Sequence, residues 1–449
     1  MDARYAIRKA QLLAECEVAP EVFEQVMPRL QTFLEPFVDT FGGQALHQHA
    51  TTSIHGLLSD VERTNVASIA SQFGQDRLGL QRFIGWADGA DAPLRQALRG
   101  QVGTQWGQED GVLVCDPSAL PKSGRESVGV ARQGCGRLGK VDNCQVAMYV
   151  GYVSRKGHTL VDRRLYLPKA WTQEKARLDK AGVPKERRGY RTRHQLALEM
   201  LEHNGASLPH RWMAGDDEMG RPYGFRRRLA ALGERSMLAV PGNTLRRDLE
   251  TAVPDSSGQG RPPTRPWQGV AKGAEGLGEE AWRRLDVRDG SKGPLVVDVV
   301  KRRVVSRTHR RQHGDEAMFV VRRDRDRDNQ QVVQVDSSLS NAACETPLGE
   351  CARVAKAEHR IEECLQRSKS EAGLADYEVR HGTGWQQHQT LSLGATWFLE
   401  RETHRGKKMD ARHDVTADSP RHRDELTRSV SVRDDVAYVG GTPEAPATP

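Results

Sequence analysis

The stretch GVLVCD, Gly111–Asp116, is a continuous apolar run that ends on a carboxylate. A run of that length, rich in Val and Leu and bounded by Gly and Asp, reads as a strand buried on both faces. An acid at its end is costly beside a core unless something holds it there. HRWMAGDD, His210–Asp217, repeats the pattern, its apolar run closing on Asp216. Between the two, NCQVAMYVGYVS and HTLVDRRLYLP read as strands joined near Lys156–Gly157, and RHQLALEMLEHNG reads as an amphipathic helix stopped by Gly205. GFRRRLAALGE and SMLAVPG then give a helix and a strand. Three consecutive strands followed by helix–strand–helix–strand define an α/β layout. If the strands that end in Asp116 and Asp216 are neighbours, the two carboxylates converge.

Between them lies QGCGRLGKVDN, Gln133–Asn143, with G-x-G-x-x-G at Gly134, Gly136 and Gly139. A dinucleotide loop follows a strand and opens a helix, so that the helix N-terminus faces the pyrophosphate. Here the glycines precede a β-branched strand. A kinase loop calls for a V-A-I-K lysine on a neighbouring strand, and none is present; His422–Asp424 spells HRD without a following D-F-G. The glycines are expected to form a turn between strands, and no nucleotide cofactor is expected.

Residues 1–105 are expected to form an N-terminal helical domain. Within it Ile69, Phe73, Leu80 and Phe83 recur at helical spacing, and Ala70, Gly74 and Leu80 match a helix-turn-helix. DNA contact and an ordinary helical hairpin are both open there. Residues 106–245 hold the α/β region. Residues 246–345 begin with a Pro/Gly-rich connector, 251–280, and continue as a basic β-rich block, PLVVDVVKRRVVSRTHRR and AMFVVRRDRDRDNQQVVQVD. Helices return over 346–403, and 404–449 is expected to be a disordered tail.

The mean hydropathy of −0.66 fits a polar globular protein. No apolar run approaches the roughly 20 residues that span a bilayer, and MDARYAIRKAQ lacks the apolar core of a signal peptide. A cytoplasmic protein without a membrane partner is expected. The seven cysteines include no C-x-x-C pair, which points to reduced, buried thiols and to neither zinc nor a disulfide framework. The net charge of +7, carried largely by arginine, suits a polyanionic partner.

Glu362, within EHRIEECLQRSK, joins the two aspartates as a candidate, and Lys369 lies seven residues on, on the same helix face. Carboxylates suit Mg²⁺ or Mn²⁺, and two such ions about 4 Å apart activate an attacking oxygen and stabilise a leaving one. Bland alternatives compete: a turn or cap for Asp116, a solvated acidic turn for Asp216 beside Asp217 and Glu218, an exposed helix carboxylate for Glu362.

Three ordered blocks carry a resemblance: VLVCDPSALPKSGRESVGVARQGCGRLGKVDNCQVAM, RWMAGDDEMGRPYGFRRRL and HRIEECLQRSKSEAGLADYEVRHGTGWQQHQTLSLGATWFL. Together, from about residue 30 to 405, the chain resembles a bacterial insertion-sequence transposase of the D-D-E superfamily, in the branch with the signature Y-x2-R-x3-E-x6-K. The resemblance implies an RNase H-like mixed sheet flanked by helices, with a β-rich insertion before the glutamate helix. It implies Asp116, Asp216 and Glu362 as catalytic metal ligands for Mg²⁺ or Mn²⁺, in the form of two ions. The expected activity is cleavage at element ends and 3′-OH strand transfer into target DNA, by a protein that self-associates on double-stranded DNA. Lys369, with Lys122, Arg125, Arg132 and Lys140 near the glycine loop and Arg302, Arg303, Arg310 and Arg311 of the basic block, are the expected DNA contacts. The signature's Arg and Tyr positions hold Glu358 and Ala355. A carboxylate there would repel the DNA backbone, so the alternative is a transposase-derived DNA-binding protein with lost or reduced nuclease activity.

Overall fold

The computed structural model describes residues 25–413, except 39–42, 60–63, 87–90, 206, 256–262, 291–292, 308–311 and 327–328. The chain divides into two compact units. One comprises residues 1–94, 367–379 and 383–449, the other 95–366 and 380–382.

The first unit is helical: α1 (Val26–Val38), α2 (Gln44–Leu57), α3 (Val66–Gln72), α4 (Arg77–Trp86) and the start of α5 (Asp91–Trp106). They share this unit with most of the last helix. Leu30, Phe33 and Phe37 recur at helical spacing on α1 and are buried, and the Phe33 ring lies 5.3 Å from that of Phe398. Arg29 donates two hydrogen bonds to Glu402, at 3.0 and 2.7 Å. α3 and α4 form the helix-turn-helix-shaped hairpin. Asn65 caps α3 by accepting from the Ser68 N–H, and Gly74 makes the turn at φ +57°, where a side chain would be strained.

The second unit is built on a sheet: β1 (Val112–Pro121), β2 (Ala131–Cys135), β3 (Lys140–Val153), β4 (His158–Leu165), β5 (Trp212–Gly215), β6 (Arg235–Ala239), β7 (Leu245–Asp248), β8 (Gln268–Gly269), β9 (Arg283–Gly290), β10 (Gly293–Arg307), β11 (His313–Arg325) and β12 (Val332–Ser340). The core order is β4-β3-β1-β5-β6. β3 runs antiparallel to β4 and β1, while β1, β5 and β6 run parallel. Three antiparallel strands followed by two parallel ones is the RNase H-like arrangement. Short helices α6 (Lys169–Thr172) and α7 (Lys175–Lys180) and then α8 (Arg193–Asn204) connect β4 to β5, and α9 (Asp217–Gly220) and α10 (Tyr223–Ala231) connect β5 to β6. Asp162 is fully buried on β4. Burial alone would raise its carboxyl, but Arg95, Arg164 and Arg163 hold it below the usual range, with Arg95 at 3.0 Å.

The insertion extends the same sheet. β12 pairs with β6, β11 with β12, and β10 with β11, β7 and β9. The strands expected in the basic block are therefore present. The Pro/Gly-rich connector 251–280 is not irregular throughout: helix α11 (Val270–Glu275) stands within it. Val270 and Ala274, four residues apart on one helix face, pack into a core with Val240, Val304 and Phe319. α12 (Leu348–Ala355) and α13 (Ala357–Glu371) follow, and α14 (Gly382–His413) closes the chain. It continues ten residues past the expected start of the tail; residues 414–449 lie outside the described ones. Among the described residues no helix is long and apolar enough to cross a membrane.

The helix that carries Glu362 is set against the sheet by a missing side chain. A Cβ on Gly151 of β3 would lie 2.1 Å from Ile361 Cδ1, and Ile361 is fully buried. Gly151→Ala is expected to destabilise the fold by about 1–3 kcal/mol, and Ile361→Val in the same chain should recover part of that loss. Urea unfolding of the two single variants and the double checks this; strictly additive losses would show that the two residues do not share the space.

Candidate active site

β1 does not end at Asp116, as its apolar run suggests. It continues to Pro121 against β3, with Asp116 opposite Tyr149. β5 ends at Gly215, opposite Cys115, so from Asp116 onward this side of β1 has no ladder partner. A proline, lacking an N–H, is tolerated on such an open edge, and Pro117 lies there. Asp116 and Asp216 are each one residue beyond the Cys115–Gly215 pair, Asp116 within β1 and Asp216 just past the end of β5, and such neighbouring strands lie about 4.8 Å apart. The fully buried Cys115 thiol is held protonated by its burial and by Asp116, Asp216 and Asp162.

Asp216 caps α9, its Oδ1 accepting from the Met219 N–H at 3.0 Å. Its carboxyl is pushed up to about 6 by burial and by Glu218 and Asp217, against the Met219 N–H and Arg193, which lower it. It lines a cleft of about 700 Å³ together with Glu358, Glu362, Arg322, Asp336 and Trp282. Asp116 is not among the residues lining that cleft.

Glu362 is 74% exposed and lies 3.7 Å from His359 Nδ1. Glu358, one turn earlier, is half-buried. Its carboxyl is pushed up to about 7 by burial, Asp216, Asp336 and Glu362, with Arg322 opposing. The sequence reading took Glu358 only as a lost arginine. The signal that could have found it is periodicity: residues 358 and 362 stand on one helix face. Arg322 of β11 brings a guanidinium to the same cleft, anchored by the Ala355 carbonyl at 2.7 Å and by Asp336. Among the described residues no three His, Cys, Asp or Glu side chains form a group able to hold an ion.

Lys369 lies on the last turn of α13, half-buried, in the part of that helix grouped with the helical unit. Gly136–Gly139 form the expected turn between β2 and β3, with Gly139 at φ +61°, while Gly134 lies within β2 opposite Val141. Around it Lys140 pairs with Asp142 at 2.9 Å, and Arg132 reaches the Val141 carbonyl at 3.4 Å. The Lys122 main-chain N–H donates to the Asn143 carbonyl at 2.9 Å, and the Arg125 carbonyl accepts from Arg177 at 3.1 Å. In the insertion Arg302 is paired with Glu250 at 3.1 Å and Arg303 with Glu316 at 2.7 Å. Arg310 and Arg311 lie outside the described residues.

The sheet has the RNase H-like order, with Asp116 on β1 and Asp216 directly after the neighbouring β5. The family described as DDE superfamily endonuclease matches residues 36–294, and the chain belongs to that family. The match covers Asp116 and Asp216 and ends before Glu358 and Glu362. No curated protein matches the sequence. Among solved structures, the cryo-EM structure of a piggyBac transposase synaptic complex with hairpin DNA aligns with 87% of this chain and 72% of its own. Its TM-score is 0.38 at 9% identity, too shallow a likeness to carry anything further.

The raised carboxyl of Asp216 makes a stability prediction. Its ordinary value is 3.8 and its folded value about 6, so folding favours the protonated form. The cost of the charge is absent below the ordinary value and fully present above the folded one, at about 2 kcal/mol after allowance for partial exposure. Asn keeps the cap and removes the charge. In EDTA, Asp216→Asn should therefore melt higher than wild type at pH 8 and equally at pH 3.5. A lower melting temperature at pH 8 would contradict the electrostatic reading.

Proposed function

We propose that this chain is a transposase-type DNA endonuclease whose Asp116, Asp216 and Glu362 hold divalent cations. The observation that carries this reading is the parallel pairing of β1 with β5, which brings Asp116 and Asp216 side by side. The donor set suits a hard cation: oxygen ligands only, with Asp216 and Glu358 lacking full compensation of charge, as their raised carboxyls attest. Mg²⁺ or Mn²⁺ needs few protein groups and keeps several waters. When bound, two such ions would supply an activated attacking oxygen and charge stabilisation for the leaving one. The protein's own contribution is to carry the carboxylates on β1, at the end of β5 and on α13, and to oppose their repulsion with Arg193 and Arg322. Cleavage at element ends frees a 3′-OH, and the same site would then direct that hydroxyl at a target phosphodiester in double-stranded DNA.

A second reading concerns the third carboxylate. Glu358 is half-buried and its carboxyl is raised in part by Asp216, whereas Glu362 is exposed; this favours Glu358 in the ligand role. Full decay to a DNA-binding protein is the remaining alternative.

One cleavage assay separates these readings. The substrate is duplex carrying the DNA that flanks the two ends of this gene, with Mg²⁺ or Mn²⁺. If Glu362 is the ligand, Glu362→Gln should lower cleavage at least about 100-fold, since the charge that holds the cation is lost, while DNA binding persists. If Glu358 is the ligand, Glu358→Gln should show that loss and Glu362→Gln should cut within about tenfold of wild type. A wild type that binds tightly but never cuts would establish the binding protein.

A further inference from the structure

The whole chain carries a surplus of seven positive charges over 449 residues. Residues 165–195, from the end of β4 to the first turn of α8, hold nine lysines and arginines against Glu174, Asp179 and Glu186. That is a surplus of six in one connection.

This basic connection is a fixed surface. Trp171 is buried and donates to the Val130 carbonyl at 2.8 Å. The Arg177 guanidinium stacks 3.8 Å from the Trp171 ring and donates to the Arg125 carbonyl. Lys180 pairs with Glu126 at 2.7 Å. Leu178, Ala181 and Val183 are buried. The connection is thus pinned to the loop that holds Lys122 and Arg125, while Lys169, Lys175, Lys185 and Arg191 face solvent.

Topology places its two ends at the aspartates. Arg163 of β4 and Asp116 of β1 both stand opposite Tyr149 of β3, so they are level, two strands apart at about 10 Å. The chain leaves β4 two residues later. Its far end returns at Arg193, whose Nη1 lies 2.6 Å from Glu218 Oε2, two residues past Asp216. In the insertion Arg302 and Arg303 pair with Glu250 and Glu316, and Arg323 and Arg325 share Asp298. In the connection Lys180, Arg188, Arg191 and Arg193 pair likewise, so Lys169, Lys175, Lys185 and Arg187 are the cations it offers a further partner.

We propose that residues 165–195, with the 122–132 loop, form the surface that grips the sugar–phosphate backbone of duplex DNA beside the cut. The proposal rests on the endonuclease reading of the aspartates. Aromatic side chains interleave the charges, with Tyr166 and Tyr190 packed edge to face and Lys169 Nζ 5.2 Å over the Tyr190 ring. A bound backbone would release counterions here, so affinity must fall with salt in proportion to the contacts made.

The test uses the full chain and a fluorescent duplex of about 40 base pairs, long enough to cover several phosphate contacts. Binding is followed by anisotropy in EDTA across a range of NaCl. Lys169→Gln, Lys175→Gln, Lys185→Gln and Arg187→Gln together should lower the slope of log affinity against log salt by about 3 to 4. Each single substitution should lower it by about 1, which answers the question should the fourfold variant fail to fold. Arg at the three lysines and Lys at Arg187 should retain the slope. Removing Arg284, Arg302 and Arg303 from the insertion should change it by less than about 1. An unchanged slope in the fourfold and single variants, an equal loss in the insertion variant, or no duplex binding by wild type overturns the proposal. Cutting by wild type in Mn²⁺ is scored separately: binding that behaves as expected without cleavage refutes only the nuclease reading.

Discussion

The parallel pairing of β1 with β5 is the constraint on which the rest depends. It ends at Cys115 and Gly215, and the next residue on each strand is an aspartate. Gly215 permits the close fit: a Cβ there would lie 2.9 Å from the Met219 Cβ and 3.1 Å from the Cys115 carbonyl oxygen. Met219 is fully buried and its N–H is the donor that orients Asp216. The strand pairing, the turn after β5 and the position of the second aspartate are therefore one packing arrangement. The long antiparallel pairing of β1 with β3 holds Asp116 from the other side.

This arrangement works against stability. Burial raises the cost of ionising both Asp216 and Glu358, Glu218 and Asp217 add to it at Asp216, and Asp216 adds to it at Glu358. A core selected only for stability would not retain such a pair, because apolar or amide side chains of similar size remove the repulsion. Carboxylates kept apart from full compensation are what a cation site requires before its cation arrives. Arg193 and Arg322 partly offset the repulsion. Arg322 comes from the insertion, so that β block completes the electrostatics of a cleft whose aspartate comes from the central sheet.

Much of this was legible in the sequence. GVLVCD and HRWMAGDD announced two buried strands, the second with an acid just past its end, and the alternating run after Gly139 announced strand β3. The less legible parts have definite physical causes. Asp116 lies in mid-strand because β5 is short and leaves an open edge that accepts Pro117, which is a tertiary fact. Helix α11 was hidden by the glycines around it. Gly273 is needed where a Cβ would meet the Arg246 guanidinium at 2.0 Å, so a composition typical of a linker here serves packing. Glu358 stands out only in the structure, because its place beside Asp216 depends on the direction its helix face takes. The arginines of the insertion looked like a free basic surface, since sequence alone does not show that Glu250 and Glu316 neutralise two of them. The basic connection after β4 drew no notice among charges spread along the whole chain, and only the strand register brings its ends to the aspartates.

The central claim is that Asp116 and Asp216 serve one cation. Titration of the DNA-free protein with Mn²⁺, with free ion followed by its electron paramagnetic resonance signal, tests it without reference to cleavage. The expected result is that Asp116→Asn and Asp216→Asn each weaken binding at least about tenfold, and that the double variant is no worse than the poorer single one, as for two ligands of a shared ion. Wild-type affinity in either single variant, or losses that simply add in the double, would contradict a shared site.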